Sequence, residues 1–195
     1  MIPAGWREAV RRLMEPTASL LARSGISPST LTLIGLAPAA IAGWLFAIGN
    51  VRAGGVMVAI SGLFDMLDGH VARLAGRQTR FGALLDSTID RFSEIAIFLG
   101  LAILFEDRLS QYGVLLALSG SLMVSYVRAR AEGLDFTCKR GLLQRPERML
   151  ILVAGAIAGV NFLRWAVWLI AVLAHVTAVE RMLRVRLQSG GQTSK

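Results

Sequence analysis

FDMLDGHVARLAGRQTRFGALLDSTID, residues Phe64 to Asp90, places Asp65, Asp68, Asp86 and Asp90 between two long apolar runs. A helix turns by about 100° per residue, so Asp65 and Asp68 point within roughly 60° of each other and Asp86 and Asp90 within about 40°. Each of two successive helices therefore presents one acidic edge. The linker LAGRQTRF, Leu74 to Phe81, is short, which makes the helices antiparallel neighbours with their acidic edges facing.

The surroundings make those carboxylates costly. Of the 195 residues, 54% are hydrophobic and 17% charged, and the mean hydropathy is +0.58; soluble chains carry about a quarter charged residues. TLTLIGLAPAAIAGWLFAIG, Thr30 to Gly49, has no charge in 20 residues, and about 20 residues cross the hydrocarbon of a bilayer. Further apolar stretches run from Ala53 to Leu67, Ile95 to Phe105, Tyr112 to Val127, Met149 to Leu163 and Trp165 to Val179. The expected fold is an all-α integral membrane protein of six transmembrane helices. A surface helix precedes them in residues 1–26, where Trp6, Val10, Leu13, Met14, Leu20 and Leu21 lie opposite Arg7, Arg11, Arg12 and Arg23. One membrane domain spans residues 1–187, and QSGGQTSK, 188–195, reads as a disordered tail.

Most of the 21 Lys and Arg fall on the side of the N-terminus, whereas the opposite loops hold Arg52, Arg108 and Arg164. Both termini are therefore expected in the cytoplasm. The net charge of +8 is a topology and anionic-lipid signal, and a nucleic-acid partner is not expected. Cys138 is the single cysteine and can form no intrachain disulfide. Gly35, Ala39 and Gly43, like Gly155 and Gly159, have the four-residue spacing that permits close helix approach and allows a dimer.

A carboxylate deep in a span costs about 2.5–3.5 kcal/mol on insertion scales. Two unit charges 4 Å apart repel by about 4 kcal/mol at an effective dielectric of 20. A hard divalent cation such as Mg²⁺ or Mn²⁺ relieves both, and Mg²⁺ commonly binds beside phosphate oxygens. Gly69, Ala72 and Gly82 leave room beside the acids, and Arg73 adds a planar phosphate donor. Caps, turns and a cation relay in a divalent-cation transporter are the alternatives; the small residues and the arginine favour a metal-bound pyrophosphate.

Asp65-x-x-Asp68-Gly69-x-x-Ala72-Arg73, then Gly82-x-x-x-Asp86-x-x-x-Asp90, resembles the complete signature of the CDP-alcohol phosphotransferases, and the helix organisation extends the likeness over nearly the whole chain. The resemblance implies transfer of a phosphatidyl group from CDP-diacylglycerol or a related CDP-lipid to an alcohol, with release of CMP. It implies metal ligation by Asp65, Asp68 and Asp86 with Asp90, two ions, and Asp90 as general base. It further implies CDP-lipid contacts from Gly69, Arg73, Thr79 and the turn from Ser29 to Thr32, and a homodimer in a prokaryotic cytoplasmic membrane.

For the acceptor, SYVRARAE (125–132) and RPER (145–148) are similar to the phosphatidylinositol-phosphate synthase branch. There, basic residues at the places of Arg128, Arg148 and Arg181 bind the phosphate of inositol 1-phosphate. LLDSTIDRFSE also lies closer to that branch than to the one using glycerol 3-phosphate, the alternative acceptor. Arg128, Arg145, Arg148 and Arg181 lie at cytoplasmic ends of different helices, where guanidinium groups can converge on one phosphate. Position 128 is often lysine in the branch. His70 and His175 read as structural histidines.

Overall fold

The computed structural model describes residues 4–138 and 141–190, with side chains from Met14 onward excluding Gly190. Trp6, Val10 and Leu13 of the expected amphipathic face, together with Lys139, Arg140 and residues 191–195, therefore lie outside the described side chains. Among the described residues, seven helices follow in chain order: α1 (Ala4–Arg23), α2 (Pro28–Ala47), α3 (Val51–Leu74), α4 (Arg80–Leu104), α5 (Arg108–Glu132), α6 (Arg145–Ala158) and α7 (Val160–Gly190). Residues 188–190, expected within a disordered tail, continue α7.

Among the described residues, four helices are long and apolar enough to cross a membrane: α2, α3, α5 and α7 through Ser189. Six comparable spans are expected from the apolar runs, and the other two differ for physical reasons. α4 carries Arg80, Asp86, Asp90, Arg91 and Glu94, which break the apolar window, while α6 has only 14 residues, about 21 Å of rise. The expected boundary at Arg164 also moves. α6 ends at Gly159, whose φ of 116° suits glycine, and Arg164 lies inside α7.

The chain divides into two compact units, residues 1–104 and 105–195. In the first, α2 packs along both α3 and α4, and α1 packs on α3. α3 and α4 themselves touch sparsely, so the expected neighbours are joined mainly through α2. Small residues set this geometry. A Cβ on Gly43 would meet the backbone oxygen of Ala96, and one on Gly100 would meet that of Gly43, so α2 and α4 cross with their backbones in contact. Ser61 Oγ donates to Gly35 O at 3.2 Å in the buried seam between α2 and α3. Ala18, Leu31 and Val71, with Leu21, Ala22 and Leu67 around them, seat α1 against α2 and α3.

In the second unit α7 packs along α5 and α6. Gly113 lies against the Trp168 ring, Gly120 against Ala174 and the His175 ring, and Gly155 against Ala166 and Leu163. His175 Nδ1 is 2.8 Å from Ala171 O, in keeping with a structural histidine. Asp107 caps α5, accepting from Ser110 N at 2.9 Å. It also approaches Arg164 at 3.3 Å, while the Arg164 guanidinium lies 5.5 Å from the Phe105 ring centre.

Candidate active site

Asp65 and Asp68 stand one turn apart near the C-terminal end of α3, and Asp86 stands in the second turn of α4. Residues 75–79 reverse the chain between them. Thr79 starts α4 as its cap, its Oγ1 accepting from Gly82 N at 2.9 Å. This short reversal brings three carboxylates from two helices together: one oxygen from each of Asp65, Asp68 and Asp86 lies within 4.8 Å of the others.

The donor set fits a hard divalent cation. All three donors are carboxylate oxygens, the preference of Mg²⁺ and Mn²⁺. Asp68 is 3% exposed, and its Oδ2 is buried without a hydrogen-bond partner among the described residues. Thr32 of α2 and the Gly69 backbone lie beside the same side chain, while the charges of Asp65 and Asp86 repel it. A buried acceptor lacking a donor, with two like charges beside it, is the environment that a cation completes.

Asp90, one turn beyond Asp86, is not in this group of three. It is half-buried, and its Oδ2 lies 3.8 Å from Arg91 Nη1; Arg91 Nη1 also donates to Ser87 O. Asp86 thus joins the α3 pair within that distance, and Asp90 follows it one turn along α4. Glu94, a further turn along, is fully buried; the sequence reading passed over it, although the Asp86, Asp90, Glu94 spacing of four was there to find it.

The face expected to contact a CDP-lipid is partly exposed. Arg73 Nη1 lies over Gly69, 3.5 Å from where a Cβ would stand, so the glycine makes room for the guanidinium. Ala72 and Gly82 are half-buried and Arg73 and Thr79 exposed. A Cβ on Gly82 would crowd Thr79 Oγ1 at 2.9 Å. Ser27 caps α2, accepting from Thr30 N at 3.1 Å. Ser29 lies in the first turn, and Thr32 Oγ1 donates to Pro28 O at 3.1 Å. Arg77 Nη1 donates to Gly25 O at 3.4 Å, tying the α3–α4 reversal to the α1–α2 turn. His70 is buried.

The second unit carries a separate basic cluster. Arg148 and Arg181 are 1% and 2% exposed, and Arg181 Nη1 donates to Val124 O at 2.6 Å. The charges of Arg128, Arg148 and Glu132 all act on Arg181. Arg128, on the surface, donates through Nε to Glu132 Oε1 at 2.9 Å. Arg145 is the half-buried first residue of α6, where Gln144 N donates to Glu147 Oε2 at 3.0 Å. Two nearly buried guanidinium groups acting on each other make a strong site for an anion, because an oxyanion compensates both at once.

Sequence reasoning missed the ties that hold this cluster. Leu142 N donates to Glu180 Oε2 at 3.3 Å, and Leu143 N donates to Thr177 Oγ1 at 3.1 Å. Thr137 and Gln188 exchange backbone-to-amide hydrogen bonds. The visible signal was a run of polar residues on α7, Thr177, Glu180, Arg181 and Gln188, continuing beyond its apolar stretch.

With this geometry in view, comparison with known proteins is informative. Phosphatidylinositol phosphate synthase of Mycobacteroides abscessus is 40% identical, covering 94% of this chain and 88% of the relative. Archaetidylinositol phosphate synthase of Methanothermobacter thermautotrophicus is 40% identical over 92% of each. The crystal structure of Mycobacterium tuberculosis phosphatidylinositol phosphate synthase with CDP-DAG bound superposes with a TM-score of 0.82 at 37% identity, covering 89% of this chain and 94% of that one. The same enzyme in complex with manganese and citrate gives 0.80 at 37% identity over 87% of each. Residues 25–179, which include all four signature aspartates and three of the four clustered arginines, match the defining pattern of one family: the chain belongs to the CDP-alcohol phosphatidyltransferases.

Proposed function

We propose that this membrane enzyme transfers a phosphatidyl group, or its archaeal ether-lipid counterpart, from a CDP-linked lipid to inositol 1-phosphate, giving phosphatidylinositol phosphate and CMP. The observation that carries the reading is the convergence of Asp65, Asp68 and Asp86 oxygens within 4.8 Å. The names of the relatives, spanning bacteria and an archaeon, support the acceptor.

In this reading Asp65, Asp68 and Asp86, with Asp90, hold a pair of divalent ions, Mg²⁺ or Mn²⁺; manganese in the mycobacterial enzyme supports that choice. Bound there, the metal supplies neutralisation of charge building on the departing CMP. Arg73, packed over Gly69, steadies the pyrophosphate, and Ser29, Thr32, Ala72, Thr79 and Gly82 line the nucleotide's approach. Asp90, one turn beyond Asp86 on α4, also takes the proton of the acceptor hydroxyl. The hydroxyl oxygen bonds to the lipid-side phosphorus as the bond from that phosphorus to the CMP oxygen breaks. Arg128, Arg145, Arg148 and Arg181 bind the acceptor's phosphate, the buried pair contributing most because water competes least there.

The enzyme acts in a prokaryotic cytoplasmic membrane, with six crossings, both termini cytoplasmic, residues 1–187 working as one domain, and a homodimer as the assembly. A CDP-lipid keeps its tails in hydrocarbon and its nucleotide in water, which suits a site at the cytoplasmic surface. The test is CMP release by purified protein with CDP-diacylglycerol and Mn²⁺ or Mg²⁺, adding inositol 1-phosphate, glycerol 3-phosphate, serine or free inositol. Release confined to inositol 1-phosphate is expected. Preference for glycerol 3-phosphate would overturn the acceptor, and no release with any of them would return the aspartates to cation transport.

A further inference from the structure

Four ties fasten Thr137 and residues 141–143, described residues between α5 and α6, along the end of α7, in descending order. Thr137 N donates to Gln188 Oε1 at 3.2 Å while Gln188 Nε2 donates to Thr137 O at 2.9 Å, so one side-chain amide closes a two-bond ring with the backbone. Gly141 lies directly on the Arg181 guanidinium, where a Cβ would come within 2.9 Å of Nε and 3.0 Å of Nη2. Leu142 N reaches Glu180 and Leu143 N reaches Thr177, whose hydroxyl donates onward to Leu173 O at 2.7 Å. These contacts form a strap, and Arg181 is the charged group beneath it.

On its other side Arg181 is fixed by the hydrogen bond from Nη1 to Val124 O. The guanidinium is therefore held between the α5 backbone and the strap. A flexible arginine loses rotamer entropy when immobilised, and binding is tighter when that loss has been incurred in folding. The α7 ties also run past the level of Arg181 to Gln188, so the strap is secured on both sides of the residue it covers.

We propose that Gly141 and Gln188 are positioning residues for acceptor binding: the strap they hold fixes the Arg181 guanidinium in the orientation that receives the acceptor's phosphate. The proposal rests on the reading of Arg181 as an acceptor ligand, and it assigns to a glycine and an amide, neither able to bind phosphate through a charge, a share of the affinity. A methyl group at position 141 displaces the guanidinium, and loss of the Gln188 amide loosens the strap.

Binding of inositol 1-phosphate by titration calorimetry, alongside CMP-release kinetics, tests this in Gly141→Ala and Gln188→Ala. Gly141→Ala is expected to weaken acceptor binding about tenfold and Gln188→Ala about threefold, each with a matching rise in acceptor KM, while the KM for CDP-diacylglycerol stays within about twofold. Gln188→Ala removes only a surface amide, so it carries the test if Gly141→Ala fails to fold. Unchanged acceptor affinity in folded variants, or equal rises in both KM values, would overturn the proposal. Wild-type protein that binds inositol 1-phosphate yet releases no CMP would instead overturn the proposed reaction, leaving the strap to be judged by affinity alone. Wild-type protein that does not bind it would overturn the strap's role.

Discussion

Asp68 is almost wholly withdrawn from water on a helix long and apolar enough to cross a membrane, with one oxygen lacking a donor among the described residues and two further carboxylates beside it. Without a cation this is a destabilising arrangement, of the order of a few kcal/mol from burial and repulsion together. Asp68→Asn is therefore expected to raise the melting temperature of chelator-treated protein by a few degrees. It should also abolish the rise that Mn²⁺ produces in the wild type, which at 100 times Kd corresponds to about 2.7 kcal/mol. A variant that melts lower and still responds to Mn²⁺ would contradict the metal assignment. Asp90 and Arg148 should fail differently. Asp90→Asn is expected to lower kcat by about 10²–10⁴-fold with CDP-lipid binding retained, whereas Arg148→Ala should mainly raise the KM for the phosphorylated acceptor, by about tenfold or more. Steady-state CMP release and lipid-binding titration separate the two. At this scale the sequence was highly legible for the aspartates, because spacings of three and four on a helix translate directly into a shared face. It did not reveal that three of the four carboxylates form the tight group without the fourth.

At the scale of the element, the contacts of α2 decide where the aspartates meet. The α2–α4 crossing has no room for a side chain at Gly43 or Gly100. Overpacking such a contact costs about 1–3 kcal/mol, so Gly43→Val should lower the melting temperature in detergent and reduce activity while all four aspartates are intact. An unchanged melting temperature would show that the helices can separate without penalty. α5 offers a test through its cap. Hydrogen bonds from Ser110 lower the Asp107 carboxyl below its usual value, with Arg164 a lesser contributor. A lowered carboxyl stabilises the fold above its unfolded value, about 3.9, and loses that contribution as pH falls through the folded value. The melting-temperature gap between wild type and Asp107→Ala should thus stay constant from about pH 7 to 5 and close below about pH 4. A gap that widened on acidification would contradict the cap. Here the sequence was less legible: the small-residue spacing of Gly35, Ala39 and Gly43 was visible, yet Arg164 looked like a loop boundary when the turn is made by Gly159. Charge suggests where a chain meets water, whereas the backbone turns where a residue tolerates positive φ.

At the scale of the whole molecule, the proposed topology is open to a direct test. The N-terminal segment, the α3–α4 reversal with Arg73, Arg77 and Arg80, and the end of α7 with Arg181, Arg184 and Arg186 are rich in basic residues, which the positive-inside rule expects in the cytoplasm. Reporter fusions at the two ends should therefore both report the cytoplasm; a periplasmic reading at either end would contradict the topology. The helical membrane class was legible from hydropathy, while the strap over Arg181 was not, because its first tie joins residues 51 apart in sequence. A loop's path is set by such long-range bonds, and its local sequence carries little trace of them. The central claim is that Asp65, Asp68 and Asp86 form the divalent-metal site on which phosphatidyl transfer depends. A crystal structure of the protein equilibrated with Mn²⁺, with data collected for manganese anomalous scattering, tests it most directly. The account predicts an anomalous peak bounded by oxygens of all three aspartates; a saturated crystal with no peak there would contradict it.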